Sequence, residues 1–400
     1  MYRRFITRTC RFLRQLAPLA LIALTSVQGH AAWVVKSPPG EQVFDFALAP
    51  SLSTTLFATT RVDPTVGIWK SIDSGDNWTM QILNNLDYHG VGIKPDDPDT
   101  VLAGVRGGPI QISVNGGSNW LITNGSASHD VWRIQFAPNT PLTVYGAGYS
   151  NGVPVSGVLQ KSLDGGQNWA EFAIAGDADP AIISIAVAPT DANTVYVGAI
   201  LDGIGDDGLY KTIDGGATWT YLAGLPLTEV DGLAVDPTDA DVIYAGSSGS
   251  GLIRRSVDGG VSWQVLHDPF SGGVANFTSV RGIAINPSDR RIVYALGGSG
   301  ATKVIATTNC GDDWVDVDSS GIAFGQPSKA IIDTANSFIY VLENLLTTTI
   351  YREALLTVGS GSCTNTVGFP TASGSSAFGY PLLACFGLLA IAAYRRRSGP

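Results

Sequence analysis

The chain has 400 residues, of which 44% are apolar and 14% charged, and a formal net charge of −10. This apolar content is enough for a packed core and excludes a disordered or collagen-like polymer. The acidic balance repels phosphate backbones and argues against nucleic acid as a partner. In chain order, residues 1–31 come first and read as an export signal peptide. Arg3, Arg4, Arg8, Arg11 and Arg14 make a basic head without an acidic residue. Residues 16–24 are an apolar run too short to span a bilayer, and Gly29-His30-Ala31 is a small-residue cleavage site.

The next 330 residues or so, 32–360, are a repeat. The octet Ser162-Leu-Asp-Gly-Gly-Gln-Asn-Trp169 recurs as SIDSGDNW, SVNGGSNW, TIDGGATW, SVDGGVSW and TTNCGDDW. Its tryptophans are Trp78, Trp120, Trp169, Trp219, Trp263 and Trp314, spaced 42, 49, 50, 44 and 51 residues apart. Such periods with strand-like content point to propeller blades. A second motif keeps the same beat, as in AVAPTDANTVYVG, AVDPTDADVIYAG and AINPSDRRIVYAL. Each unit therefore reads as four short strands. An apolar strand ends at Pro, a Pro-x-Asp turn leads to a Val-Tyr-Ala-Gly-like strand, a third strand runs into the octet, and the fourth starts at the Trp.

A seventh unit has residues 331–340 as strands one and two and residues 348–352 as strand three, but no octet follows. Ala32-Trp33-Val34-Val35-Lys36 looks like the missing fourth strand. The expected fold is all-β: a seven-bladed propeller of four-stranded blades, closed by the N-terminal strand so that no sheet edge is left between blades.

The octet is Ser/Thr-x-Asp/Asn-x-Gly-x-x-Trp and must turn the chain between two strands. Gly75, Gly117, Gly166, Gly216, Gly260 and Gly311 supply a left-handed backbone position. Asp73, Asn115, Asp164, Asp214, Asp258 and Asn309 can accept hydrogen bonds from turn N–H groups, and the Trp ring buries apolar area beside the hairpin. These residues resemble the Asp-box, or bacterial neuraminidase repeat, of sialidases, sortilin-type receptors, xyloglucanases and photosystem II assembly-factor propellers. The resemblance implies a structural octet, on the face opposite the ligand site. With one Asp per blade, the octets are not expected to hold a metal ion, and no cofactor motif is present.

Few residues suggest chemistry. The Phe/Tyr-Arg-Ile-Pro motif of sialidases is absent, and the arginine triad, Tyr–Glu pair and acid/base Asp of that reaction cannot be assembled. Inverting glycoside hydrolysis needs two carboxylates across a cleft. Asp45, Asp130, Asp202, Asp206, Asp207, Glu229 and Asp231 fall on the expected site face, and nothing in the sequence selects a pair. The repeat alignment is sharper. Six residues before each Pro stand Phe44, His89, Trp132, Ile183, Asp231 and Arg281, which should ring the mouth of the central channel. Arg106, Arg133, Tyr149, Asn151 and Asp202 add to this surface, whose mixed chemistry suits a glycan or peptide better than a polyanion.

Beyond the repeat lies a Ser/Gly-rich spacer over 361–377. An uncharged apolar segment follows over 378–394, with a basic end at 395–400 containing Arg395-Arg396-Arg397. The apolar segment approaches bilayer-spanning length, and the Arg cluster would hold its end in the cytoplasm. Together they resemble bacterial C-terminal sorting signals of the PEP-CTERM and GlyGly-CTERM type. Between leader and tail, 16 basic residues face 34 acidic ones, a net charge of −18. Cys310 and Cys363 are left for an oxidising compartment, where a disulfide between them is expected. The sequence thus reads as a monomeric propeller, exported to the cell surface and held to the membrane by its C-terminal helix. It is expected to bind a glycan or protein without turnover. A glycoside hydrolase and a structural adhesin are the alternatives.

Overall fold

A computed structural model describes residues 33–356, apart from 40–41, 61–65, 84–85, 151–156, 175–180, 201–206, 228, 271–272, 275, 299–301, 318–321, 323–326 and 344–348. The chain divides into one unit of residues 1–364 and another of residues 365–400. The leader, the spacer, the apolar tail segment and Cys363 lie outside the described residues. Among the described residues no helix is long and apolar enough to cross a membrane.

Seven four-stranded antiparallel sheets form the blades of a propeller. The first strand of the chain is β1 (Val34–Val35). Blade 1 is β2 (Val43–Leu48), β3 (Leu56–Thr60), β4 (Gly67–Ser71) and β5 (Thr79–Leu83). Blade 2 is β6 (Tyr88–Lys94), β7 (Asp97–Val105), β8 (Gln111–Ser113) and β9 (Leu121–Ile122). Blade 3 is β10 (Asp130–Phe136), β11 (Val144–Tyr149), β12 (Gly157–Ser162) and β13 (Ala170–Phe172). Blade 4 is β14 (Ala181–Val187), β15 (Val195–Ile200), β16 (Gly208–Thr212) and β17 (Thr220–Tyr221). Blade 5 is β18 (Gly232–Asp236), β19 (Asp239–Gly246), β20 (Ile253–Ser256) and β21 (Gln264–His267). Blade 6 is β22 (Val280–Ile285), β23 (Val293–Gly297), β24 (Lys303–Thr307) and β25 (Val315–Asp316). Blade 7 has β26 (Pro327–Asp333), β27 (Phe338–Glu343) and β28 (Ile350–Ala354), and β1 pairs with β28 as its outer strand.

The fourth strands begin one residue after the Trp rather than at it. The ring packs instead in the apolar cluster shared with the preceding blade, as Trp169 does with Leu102 and Ile110. Trp33 holds the matching place before β1 and is 7% exposed, packed among Tyr294, Ile339 and Tyr351.

The core is distributed. Seven apolar clusters each join two adjacent blades, from Phe57 and Val91 between blades 1 and 2 to Phe46 and Tyr340 between blades 7 and 1. Blades can approach this closely because strand two carries small residues. A Cβ on Gly198 would stand 2.0 Å from the Val230 carbonyl of the next blade. The buried tyrosines of strand two also reach across: Tyr145 donates to Ala192 O at 2.8 Å and Tyr196 to Ala240 O at 3.0 Å.

Each octet is held by a hydrogen-bond network around its Ser or Thr, although the indole N–H of Trp219 and Trp314 is buried without a partner. In the third copy Gly166 N donates to Ser162 Oγ at 2.9 Å, Asn168 N to Asp164 Oδ1 at 2.9 Å, and Trp169 Nε1 to Gly166 O at 2.8 Å. The same Ser/Thr–Gly bond recurs at Gly75, Gly117, Gly216, Gly260 and Gly311. The expected glycines have φ between +86° and +104°, but the residue before each is left-handed too, including Ser74 (φ +60°) and Cys310 (φ +65°). Two consecutive positive φ values help reverse the chain within the loop that joins strands three and four. Cys310 is disulfide-bonded; its expected partner lies outside the described residues.

Candidate functional site

The strand register sets the two faces. Val43, at the start of β2, pairs with Thr60 at the end of β3, and Thr60 pairs with Gly67 at the start of β4. The octet at the end of β4 therefore lies on the face opposite Phe44, together with the Pro turns.

On the Phe44 face the channel opens into a cavity of about 370 Å³. Phe44, His89, Arg106, Trp132, Arg133, Tyr149, Asp231 and Arg281 line it, joined by Asp87, Asp130, Ile183 and Ser328. The structure thus gathers every described residue of the expected binding set in one place. Asp202, Asp206 and Asn151 lie outside the described residues. Asp207 and Glu229 do not line the cavity, and Asp45 sits deeper.

A backbone device places the ring of side chains. In blades 1, 3, 4, 6 and 7 the ladder between strands one and two skips a single residue: Phe44, Trp132, Ile183, Arg281 and Ser328. In blade 2 it skips His89 and Gly90. In blade 5, Asp231 stands immediately before β18. Each is a bulge, or sits just ahead of the ladder, so its side chain is re-aimed into the channel. Ser328 has no sequence signal of its own because Thr334 replaces the Pro in the seventh unit. Counting back six residues from Thr334 reaches it.

Blades 1–3 form an aromatic wall. Phe44 and His89 stack with centroids 4.0 Å apart and planes 7° from parallel. Trp132 stands edge-on to Tyr149 at 5.3 Å. Behind the rings lies a charged cluster. His89 Nδ1 is 2.5 Å from Asp130 Oδ1, in contact but without the alignment of a hydrogen bond. Asp87 Oδ1 is 3.6 Å from His89 Nε2. Arg106 reaches Asp87 at 3.5 Å and Asp130 at 3.8 Å. Across the cavity Arg281 meets Asp231 at 3.5 Å. Asp87 belongs to a second layer: eight residues before the Pro, the repeats carry Asp87, Asp130 and Glu229.

The two carboxyls are tuned in opposite directions. Burial pushes the Asp130 carboxyl up, but its contacts with His89, Tyr149 and Trp132 outweigh this and hold it below the usual range. Burial raises Asp231, and the Arg281 and Arg133 charges offset this only in part. Burial, with the Asp130 carboxylate beside it, also raises the Tyr149 phenol.

The cavity continues inward to a channel segment of about 270 Å³, sharing Arg133, Asp231, Arg281 and Ser328 with it. There Lys329 donates to Asp45 Oδ1 at 2.7 Å, joining blade 7 to blade 1. The remaining histidines of the described residues have structural partners. His267 Nε2 accepts from Val274 N at 2.9 Å, and His129 meets Glu171 at 2.8 Å.

No family model and no curated protein matches the chain. Solved structures do. An ancestral GH74 enzyme superposes with a TM-score of 0.62 at 18% identity, over 80% of this chain and 46% of that one. YCF48 bound to D1 peptide superposes with a TM-score of 0.60 at 13% identity, over 84% and 98%. YCF48 from Cyanidioschyzon merolae gives 0.60 at 16% identity, over 81% and 99%. The chain therefore spans less than half of the GH74 enzyme. At these identities the likeness is one of fold.

Proposed function

We propose that this chain is an exported, Asp-box-type propeller that binds a glycan in the cavity at the Phe44 mouth of its channel, without turnover. The observation that carries the reading is the pairing of an aromatic wall, Phe44, Trp132 and Tyr149, with carboxylate and guanidinium groups in one cavity. Sugar rings stack their C–H faces on aromatics, while hydroxyls donate to carboxylates and accept from arginine. The leader at 1–31 and the apolar tail at 378–394 support export and attachment at the cell surface. YCF48 with its D1 peptide makes a protein ligand the comparison case. A glycan array, followed by calorimetry on hits, tests the proposal. Loss of binding in Trp132→Ala with retained melting supports it, and an array without hits overturns it.

A second reading is glycoside hydrolysis. It is favoured by the opposite tuning of Asp130 and Asp231 in one cavity, since surroundings that push two carboxyls apart divide the base and acid roles. Product analysis after incubation of any bound glycan separates the two. Released reducing sugar that disappears in Asp231→Asn supports hydrolysis.

A further inference from the structure

The charges behind the aromatic wall are unequally held. Arg106 is the one guanidinium within ion-pair reach of Asp87 and Asp130 among the described residues, its contacts are long at 3.5 and 3.8 Å, and its side chain is 61% exposed. Asp130 is 1% exposed, and its Oδ1 touches the His89 ring at 2.5 Å. The Asp87 Oδ1 atom is buried without an aligned donor. Two carboxylates thus surround the His89 ring, and the guanidinium they share is loosely seated. The rings of Trp132 and Tyr149 frame this spot, edge to face at 5.3 Å, and Phe44 stands edge-on to Trp132 at 6.3 Å. A buried carboxylate framed by aromatic rings attracts an organic cation through both its charge and the ring quadrupoles.

We propose that the cavity selects an aminated glycan, whose protonated sugar amine displaces Arg106 from Asp130 while the ring stacks on Trp132. This rests on the glycan reading above and narrows it to a charge class. The exported part's net charge of −18 draws a cationic chain toward the molecule. Asp130 remains ionised to receive it, because its contacts hold the carboxyl below the usual range.

The test is calorimetry in mildly acidic buffer with three probes: a glucosamine tetrasaccharide, its N-acetylated twin and a lysine pentapeptide. The aminated sugar should bind at least about tenfold tighter than the twin, and the difference should shrink as salt rises. Asp130→Asn should lose about 10- to 100-fold for the aminated sugar, the span of a charge-assisted hydrogen bond, and little for the twin. Arg106→Gln, at an exposed side chain, should tighten binding by removing the competing cation. If Asp130→Asn fails to fold, Arg106→Gln carries the test. Equal binding of the two sugars overturns the amine selection and leaves the glycan reading standing. Peptide binding without sugar binding, or no binding at all, overturns both. Weakening by Arg106→Gln overturns the displacement.

Discussion

At Asp164 one carboxylate accepts from the main-chain N–H groups of Gln167 and Asn168, at 3.0 and 2.9 Å, and from the Ser162 hydroxyl at 2.8 Å. Asp164→Ala orphans these donors and should lower stability by roughly 1–3 kcal/mol in denaturant titration, while ligand affinity of the folded variant stays unchanged. Removing the ring behind it is more severe. Trp169 is 7% exposed, and Trp169→Ala should cost about 3–5 kcal/mol. The octet acids also set an acid limit. Hydrogen bonds from Asn77 hold the Asp73 carboxyl at about 2, and those from Thr218 do the same for Asp214, against an ordinary 3.8. A carboxyl depressed on folding stabilises above its unfolded value, and that contribution is lost as pH falls through the folded one. The melting temperature should therefore drop between pH 3.8 and about 2. Asp73→Asn with Asp214→Asn should flatten that drop, since Asn115 and Asn309 already serve the same turns. The turn roles of these residues were legible because six copies average away chance. The second left-handed position was not, since Ser74 and Cys310 hide a glycine pattern seen in the other four copies.

The strand that closes the ring is two residues long, and its side chains Val34 and Val35 are exposed. Its hold comes from its flanks. Trp33 fills the cluster between blades 6 and 7, Lys36 N donates to Ile350 O at 2.8 Å, and Lys36 O accepts from Trp78 Nε1 at 2.8 Å. Lys36 also pairs with Asp76 of blade 1. Deleting residues 32–36 should abolish the single cooperative melt and cause aggregation; light scattering with calorimetry checks this, and an unchanged melt would refute the latch. The borrowed strand was readable because the seventh unit lacks an octet while a Trp-led strand stands alone at the other end. Its inner counterpart was not readable. Lys329 and Asp45 lie 284 residues apart and meet only because the ring closes.

At the scale of the molecule the seven blades pack only on their neighbours, so a variant ending at Thr371, which retains every observed strand, should melt as the full chain does. The architecture was legible from spacing alone. The cavity was legible in part, because the repeat alignment finds residues at one depth. It does not show which of them pair, since the contacts of Asp87, His89, Arg106 and Asp130 depend on two blades approaching each other. The skipped position in strand one has a consequence for change over time. A residue there is passed over by the pairing register and lines the cavity, so its side chain can be exchanged while the paired positions on either side are kept. The seven sites behave as a dial with interchangeable faces: a library varied only at 44, 89, 132, 183, 231, 281 and 328 should return proteins of near-constant melting temperature and widely different ligand preference. The scaffold thereby separates what must be inherited from what is free to be rewritten.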